Sequence, residues 1–185
     1  MKSKANFIGG KSIHERVEGD FYSTPLETTM SLLCRETLPH PVWEPACGDG
    51  MISRLIDDCI STDLFDRGYG TPGIDFLTTK EIPEVNTIIT NPPFKLWQEF
   101  GERALSIAKQ KVIMFGRIQC LEGMRRGSWL ESSPLRCVYV FKQRQSPYRN
   151  GEAFDSNGKL WPNMLAFAWF VWEHGHVGDP IIKWI

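Results

Sequence analysis

The chain has 185 residues, of which 21 are lysine or arginine and 22 are aspartate or glutamate, so its formal net charge is −1. This length suits one domain with a sizeable core, and the balanced charge argues against a coat or architectural protein of nucleic acids, while leaving room for an enzyme with a local basic groove. The five cysteines form no CxxC pair and the histidines have no metal-ligand spacing, so we expect reduced thiols, a cytoplasmic protein and no metal site.

The amino-terminal segment and the longest apolar run lack the features of targeting and membrane-spanning segments. Residues 1–19 are polar and contain glycines, which predicts a flexible arm and not a signal peptide. The apolar run at residues 164–172 is too short to cross a bilayer, so we expect no membrane association. It is typical of a strand that is buried on both faces.

Helix and strand signals alternate along the rest of the chain. A helix is predicted after Pro25, within "STPLETTMSLLCRETL", and another within "KLWQEFGERALSIAKQK". Short apolar runs predict strands at "PVWE", "CISTDLF", "GIDFL", "NTIITN", "KVIMFGR", "RCVYVFKQ" and "LAFAWFVWEH". This order predicts an α/β fold with a mainly parallel sheet and helices on both faces. A loop joins the last two strands, so the last strand is expected to run antiparallel.

The first candidate ligand loop is "EPACGDG", which follows the first strong strand signal. Gly48 and Gly50 would let the backbone approach a ligand and would open a helix amino terminus beside it. Glu44 and Asp49 add negative charge, which suits a ligand with ammonium or sulfonium character. Ordinary strand–helix turns use the same glycine pattern, so this loop alone does not decide the ligand.

Two further loops follow predicted strands. Asp63 ends "CISTD", where an acidic residue is a usual partner of ribose hydroxyls, although it could equally cap a turn. Asn91 lies between the run "TIIT" and two prolines, which end the strand and hold the asparagine extended. Asparagine is also a common turn residue.

In their order and spacing these motifs resemble S-adenosylmethionine-dependent DNA adenine-N6 methyltransferases, especially the small enzymes of phages and prophages. The resemblance implies one catalytic domain over residues 1–185, in a bacterial cell or phage-infected host. It implies a Rossmann-like class I methyltransferase fold, with a mainly parallel seven-stranded sheet and an antiparallel last strand. It also implies S-adenosylmethionine as the cofactor. The residues that it places around this cofactor come from "DFYSTP", "EPACGDG", "CISTD" and "GIDF": Tyr22, Thr24, Pro25, Glu44, Pro45, Ala46, Gly48, Asp49, Gly50, Asp63, Asp75 and Phe76.

The resemblance assigns catalysis to the tetrapeptide "NPPF", which comprises Asn91, Pro92, Pro93 and Phe94. The carboxamide oxygen of Asn91 and the carbonyl of Pro92 would accept the hydrogens of the adenine amine, and Phe94 would stack on the base. Phe94 could instead be a core residue of the following helix, and "GIDFL" could be an ordinary strand that ends in a cap.

The substrate would be adenine in DNA, flipped out of the duplex or single-stranded. Residues 144–163 form a long loop that we expect on the substrate side. Lys142, Arg144, Tyr148 and Arg149 are the candidate contacts to the polymer, with a solvated loop face as the alternative. Little room remains for target recognition, so either the short segments outside the core read the site, or a second subunit contributes in a homodimer, or specificity is loose. RNA is the nearest alternative substrate; an inactive methyltransferase-like binding domain and a protein glutamine methyltransferase are weaker alternatives.

Overall fold

A computed structural model of the chain describes residues 21–145, the backbone of residues 148–149, and residues 165–185. The expected flexible arm, at 1–19, and most of the expected substrate loop, at 144–163, lie outside the described residues. In the part that is described, no helix is both long and apolar enough to cross a membrane.

The described residues form nine strands in two sheets. They are β1 (Tyr22–Ser23), β2 (Val42–Glu44), β3 (Ile60–Ser61), β4 (Thr87–Thr90), β5 (Lys111–Arg117), β6 (Leu135–Val140), β7 (Tyr148–Arg149), β8 (Phe167–Glu173) and β9 (Ile181–Trp184). Seven strands make the main sheet in the order β3-β2-β4-β5-β8-β6-β9, while β1 and β7 pair separately. Within the main sheet only β8 runs antiparallel to its neighbours.

Helices cover both faces of the main sheet. They are α1 (Leu26–Leu33), α2 (Trp97–Ile107) and α3 (Met124–Ser132), with 3₁₀ turns at Ser53–Leu55, Phe94–Leu96 and Ile118–Leu121. Trp97 and Phe100 of α2 pack in the same apolar cluster as Ile88 of β4, whereas Leu32 of α1 packs in the cluster of the next strand residue, Ile89. Successive residues of a strand point to opposite faces, so burial on both faces explains the uninterrupted apolar runs in the sequence.

The predicted α/β fold, the seven-stranded sheet and the reversed strand are confirmed, and three details of the elements differ. "GIDFL" is not a strand: Asp75 accepts the N–H of Leu77 at 2.9 Å and caps a short turn. The glycine loop leads into turns and a 3₁₀ helix, Ser53–Leu55, instead of an α-helix. The reversed strand is β8, and it is followed by β9, which pairs in parallel with β6.

A buried ionic cluster lies at the amino-terminal edge of the sheet, where β5 begins. Glu36 accepts hydrogen bonds from Lys111 Nζ at 2.9 Å, Arg136 Nη2 at 2.5 Å and Tyr139 Oη at 2.6 Å. Lys111 Nζ also donates to the Thr37 carbonyl at 2.8 Å. Burial favours a higher pKa for Glu36, but these hydrogen bonds outweigh it and hold the pKa below its ordinary value.

Candidate functional site

A cleft opens at the carboxyl-terminal edge of the sheet, beyond β2, β3 and β4; together with the space open to solvent at its mouth it measures about 780 Å³. This is where ligands bind in open α/β sheets. Of the twelve residues predicted to surround a cofactor, all except Pro25 and Gly50 line it: Tyr22, Thr24, Glu44, Pro45, Ala46, Gly48, Asp49, Asp63, Asp75 and Phe76. Asn91 and Pro93 of the tetrapeptide also line the cleft, whereas Pro92 and Phe94 do not.

The glycine loop owes its conformation to its two glycines. Gly48 has φ +55° and Gly50 has φ +83°, in the left-handed region that side chains disfavour. A Cβ atom on Gly48 would lie 2.5 Å from the ring of Phe21, and one on Gly50 would lie 2.5 Å from the ring of Tyr69. The missing side chains therefore admit two aromatic rings, in addition to any approach of the backbone to a ligand.

Asp49 and Asp63 hold the walls of the cleft together. Asp63 accepts the N–H of Gly48 and the N–H of Phe65, each at 2.8 Å and each on a different carboxylate oxygen. Asp49 accepts the hydroxyl of Ser23 at 2.7 Å, which ties β1 to the glycine loop. Asp63 thus does cap a turn, as the alternative interpretation had it, and it also lines the cleft.

The side chain of Glu44 is buried, which is an unfavourable environment for a carboxylate anion. Its side chain accepts the N–H of Ser53 at 2.8 Å and the hydroxyl of the same residue. Burial raises the pKa of Glu44 well above its ordinary value; the bonds from Ser53 oppose this, and the charges of Asp63 and Asp49 reinforce it. Burial therefore disfavours the ionised form of Glu44, one of the two residues, with Asp49, from which the sequence predicted negative charge in this loop.

Asp75 and Phe76 lie where the predicted strand is replaced by a turn. One oxygen of Asp75 accepts the Leu77 N–H, and the other accepts the Thr78 hydroxyl at 2.9 Å. The ring of Phe76 is buried, with its centroid 5.3 Å from Trp43 in an edge-on arrangement. Phe76 is thus a core residue that borders the cleft.

Asn91 is fixed by two hydrogen bonds at the end of β4. Its Nδ2 donates to the Tyr22 carbonyl at 2.9 Å and to Thr24 Oγ1 at 3.0 Å. Its Oδ1 is buried and has no hydrogen-bond partner among the described residues. The carboxamide is therefore oriented by its donor end, in a residue that lines the cleft, and its buried acceptor end has no partner among the described residues.

Phe94 is half-buried and engaged on several sides. Its ring centroid lies 5.7 Å from that of Tyr22 in a stacked arrangement and 5.6 Å from that of Phe167. The guanidinium carbon of Arg117 lies over the ring, 4.5 Å from its centroid. Phe94 thus packs against the core, as the alternative interpretation proposed, and one of its contacts is a cation.

The predicted substrate residues are only partly described. Lys142 and Arg144 are exposed. Tyr148 and Arg149 belong to β7, whose backbone pairs antiparallel with β1 in the register Tyr22 to Arg149. The structure therefore brings the start of the expected substrate loop beside the strand whose carbonyl holds Asn91.

Sequence reasoning missed Arg117 and Arg67. Arg117 ends β5, beside β4 and pointing the same way along the sheet, so the rule that led to Asn91 could have found it. Arg67 lines the cleft, with its guanidinium carbon 4.1 Å from the centroid of Phe21. Nothing in the local sequence pattern distinguishes Arg67. Within the described parts of the chain, no three metal-ligating side chains come together.

Comparison with known proteins identifies the fold. No protein-family model matches the sequence, and no curated protein is significantly similar to it. Among solved structures, the chain is similar to a Listeria monocytogenes protein described as a class I S-adenosylmethionine-dependent methyltransferase. Their TM-score is 0.61 and their sequence identity is 11%, and the match covers 88% of this chain and 65% of the other.

Two more neighbours show the range of proteins with this fold. One is the methyltransferase subunit of a type I restriction-modification system from Streptococcus thermophilus, with a TM-score of 0.56, 12% identity, and coverage of 83% of this chain and 45% of that one. The other is the 23S rRNA methyltransferase ErmE, with a TM-score of 0.53, 14% identity, and coverage of 82% and 67%. The chain spans less than two thirds of the length of the Listeria and Streptococcus proteins. It has the Rossmann-like fold of class I methyltransferases.

Proposed function

We propose that this chain transfers a methyl group from S-adenosylmethionine to the N6 amine of adenine in DNA. The observation that carries the proposal is the state of Asn91, whose amide nitrogen is held by two acceptors while its buried oxygen has no partner. An unpaired buried acceptor is costly, so it is a candidate for contact with a ligand. The methyltransferase fold and the cleft beside Asn91 supply the context.

The cleft fits the proposed cofactor in charge, because acidic side chains line it. The carboxylates of Asp49 and Asp63 would face the ammonium group and the ribose, and Asp75 would face the adenine. Thr24 and the backbone of Tyr22 would flank the methionine portion. S-adenosylmethionine supplies a methyl group on a positively charged sulfur.

The tetrapeptide supplies the acceptors that the reaction needs. The amine of adenine is a weak nucleophile because its lone pair is delocalised into the ring. Asn91 Oδ1 and the Pro92 carbonyl would accept its two hydrogens and favour a pyramidal nitrogen. These bonds strengthen as positive charge develops on nitrogen, so they stabilise the transition state more than the ground state. As the nitrogen–carbon bond forms, the carbon–sulfur bond breaks, and the excess proton on nitrogen passes to water.

Rigidity makes these acceptors effective. Two prolines follow Asn91, and its side chain cannot rotate without breaking both bonds from Nδ2. Acceptors that are already oriented need no reorganisation during the reaction. Phe94 would bear on one face of the target base, which must leave the duplex stack to reach the cleft.

The test is a methylation assay on the purified chain with labelled S-adenosylmethionine, using unmethylated DNA and RNA separately and digesting each to nucleosides. We expect label in N6-methyldeoxyadenosine. Asn91→Ala should lower the turnover rate by about 10²–10³-fold, the size of loss seen when one preorganised polar contact is removed from a transition state. Calorimetry should show nearly unchanged cofactor affinity.

Asn86→Ala is the matched control. Asn86 immediately precedes the other end of β4, and its Nδ2 donates to the His40 carbonyl away from the cleft. This variant should keep the wild-type rate at temperatures where it is folded. Label in RNA alone would show that the substrate is RNA and not DNA. Wild-type turnover by Asn91→Ala, or no methyladenine in either polymer, would refute the proposal.

A further inference from the structure

We propose that Arg117 binds the backbone phosphate of the nucleotide whose base is methylated. When this nucleotide binds, the guanidinium moves off the Phe94 ring, and the base stacks on the ring in its place. This inference rests on the proposed function. It makes Arg117 a substrate-positioning residue of the site, and it gives Phe94 a different partner in the free and the bound protein.

The place of Arg117 in the fold supports the proposal. Arg117 ends β5, which pairs in parallel with β4, so Arg117 and Asn91 lie at the same edge of the sheet. Arg117 is opposite Phe167 in the pairing of β5 with β8, and the rings of Phe167 and Phe94 are 5.6 Å apart. These strand pairings fix the backbone position of Arg117 beside Phe167 and on the same edge of the sheet as Asn91.

The described residues leave Arg117 without an anionic partner. Its guanidinium carbon lies over the Phe94 ring, and its Nε is buried with no hydrogen-bond partner in the described part of the chain. Among the described residues no carboxylate pairs with it; the described salt bridges involve Lys109, Lys111 and Arg136 instead. A partly desolvated guanidinium with no acceptor is unfavourable unless a ligand supplies one.

The chemistry of the guanidinium favours phosphate as that ligand. The carbon of the group lies over the ring, 4.5 Å from its centroid, and its N–H donors lie in the plane of the group. A fork of donors in one plane matches two oxygens of a phosphate. A base that reaches Asn91 also needs a face to stack on, and Arg117 occupies one at Phe94, whose ring packs against Tyr22 of the cleft wall. If the guanidinium moved to the phosphate of the same nucleotide, its N–H donors would gain an acceptor and the base would gain the face of Phe94.

Arg103 provides an internal comparison. Its guanidinium carbon also lies over a phenylalanine, 5.8 Å from the centroid of Phe76, and its Nε is also buried and unpaired. However, its Nη2 donates to the Thr79 carbonyl, so part of the group has a protein acceptor. It belongs to α2, on the side of the cleft where Asp75 lies, and we expect it to contact no phosphate.

The experiment measures binding of a duplex that carries the recognised site, with and without a neutral methylphosphonate at each phosphate next to the target adenine. Wild-type protein should lose about 10–100-fold in affinity at one of these positions, as expected for one charged hydrogen-bonded contact. Arg117→Met should lose a similar factor on normal DNA and lose nothing further on the methylphosphonate. Its plot of log affinity against log salt should be shallower by about 0.9, the value for one phosphate.

Arg103→Met is the control, and it should retain both the methylphosphonate effect and the salt slope. Arg117→Lys, which keeps the charge but not the fork, should retain the slope while binding less tightly. If Arg117→Met weakens binding with an unchanged slope and an undiminished methylphosphonate effect, Arg117 merely supports Phe94 and the inference is wrong.

The inference remains testable if Arg117→Met does not fold, because the methylphosphonate series uses the wild-type protein. Absence of any effect next to the target adenine would overturn it. Methylation of unmodified DNA by the wild-type protein is scored in the same samples. Failure of the Arg117 proposal leaves that methylation intact, whereas failure of the proposed function removes it.

Discussion

The two edges of the main sheet treat their buried polar groups differently. At the amino-terminal edge, one carboxylate, Glu36, receives three donors, and Lys111 donates to a carbonyl as well. At the carboxyl-terminal edge, Asn91 Oδ1 and Arg117 Nε are buried without partners in the described part of the chain. Strand β5 contributes to both edges, so it has a cation with protein acceptors, Lys111, at its start and a cation without a described acceptor for Nε, Arg117, at its end.

This difference distinguishes structural from functional polar groups. A buried group that already has its hydrogen bonds contributes to the fold and has nothing left to offer a ligand. A buried acceptor or donor that is oriented but unpaired weakens the free protein and gains its partner on binding. Such groups occur elsewhere too, for example Thr29 Oγ1 and, in the amino-terminal cluster itself, Arg136 Nε, which forms an ion pair with Glu173 but no hydrogen bond, so position beside the cleft is needed as a second criterion.

The largest expected effect is on the amino-terminal edge. Lys111→Met removes a buried cation and leaves Glu36 short of one partner, which should lower the free energy of unfolding by about 3–5 kcal/mol. Urea denaturation measures this change. Lys109, two residues before Lys111, forms an exposed ion pair with Glu84. Lys109→Met removes this pair and should lower the free energy of unfolding by about 0–1 kcal/mol. Equal losses for the two variants would show that the cluster is not structural, and cofactor affinity should be unchanged in both.

A smaller effect is expected where the cleft orients Asn91. Thr24→Val removes one of the two acceptors of Asn91 Nδ2 and keeps the side-chain shape. Loss of one neutral hydrogen bond should lower the methylation rate by about 2–10-fold. Thr28→Val, whose hydroxyl bonds Gln145 instead, is the control. If both variants methylate at the wild-type rate, the carbonyl of Tyr22 alone suffices to hold Asn91.

The smallest effect concerns the pH dependence of stability, where Glu44 and Glu36 should respond with opposite signs. The folded-state pKa of Glu44 is raised, so ionisation above the ordinary value of 4.5 disfavours the folded state. Glu44→Gln should therefore be more stable than wild type at neutral pH, and this gain should shrink as the pH falls from the raised pKa towards 4.5 and vanish below 4.5.

The folded-state pKa of Glu36 is lowered, so its contribution is present above 4.5 and is lost as the pH falls further. Glu36→Gln should accordingly be less stable at neutral pH, and its deficit should shrink on acidification. Denaturation at pH 4 and at pH 7 measures both variants. Changes of the same sign for the two would contradict the assigned shifts.

Much of the fold could be predicted because burial on both faces leaves a plain signal. The apolar runs of β4, β5 and β8 are uninterrupted, and Asn91 follows directly from the end of one of them. β9 could not be predicted in this way, because Ile181 and Ile182 are 50% and 54% exposed and the strand has no buried face to impose a pattern.

The parts of the site that escaped prediction depend on contacts between distant segments. The bond from Asn91 to Tyr22 spans 69 positions in sequence, and no local periodicity reports it. "GIDFL" has the composition of a strand, yet Asp75 satisfies the following backbone N–H and side-chain hydroxyl and so stabilises a turn. Arg117, by contrast, could have been predicted by the rule that led to Asn91, because β4 and β5 are parallel neighbours and end at the same edge of the sheet.

The pairing of β1 with β7 has a mechanical consequence. The ladder is two residues long, and the other described hydrogen bonds of this wall to the cleft are those from Asn91 and the one from Ser23 to Asp49. Peeling this short ribbon away leaves the seven-stranded sheet intact, so its amides should exchange with deuterium at a far lower free-energy cost than those of β5. Access to the cleft would then depend on whether the β1–β7 ribbon is open or closed, and its closure would orient the carboxamide of Asn91.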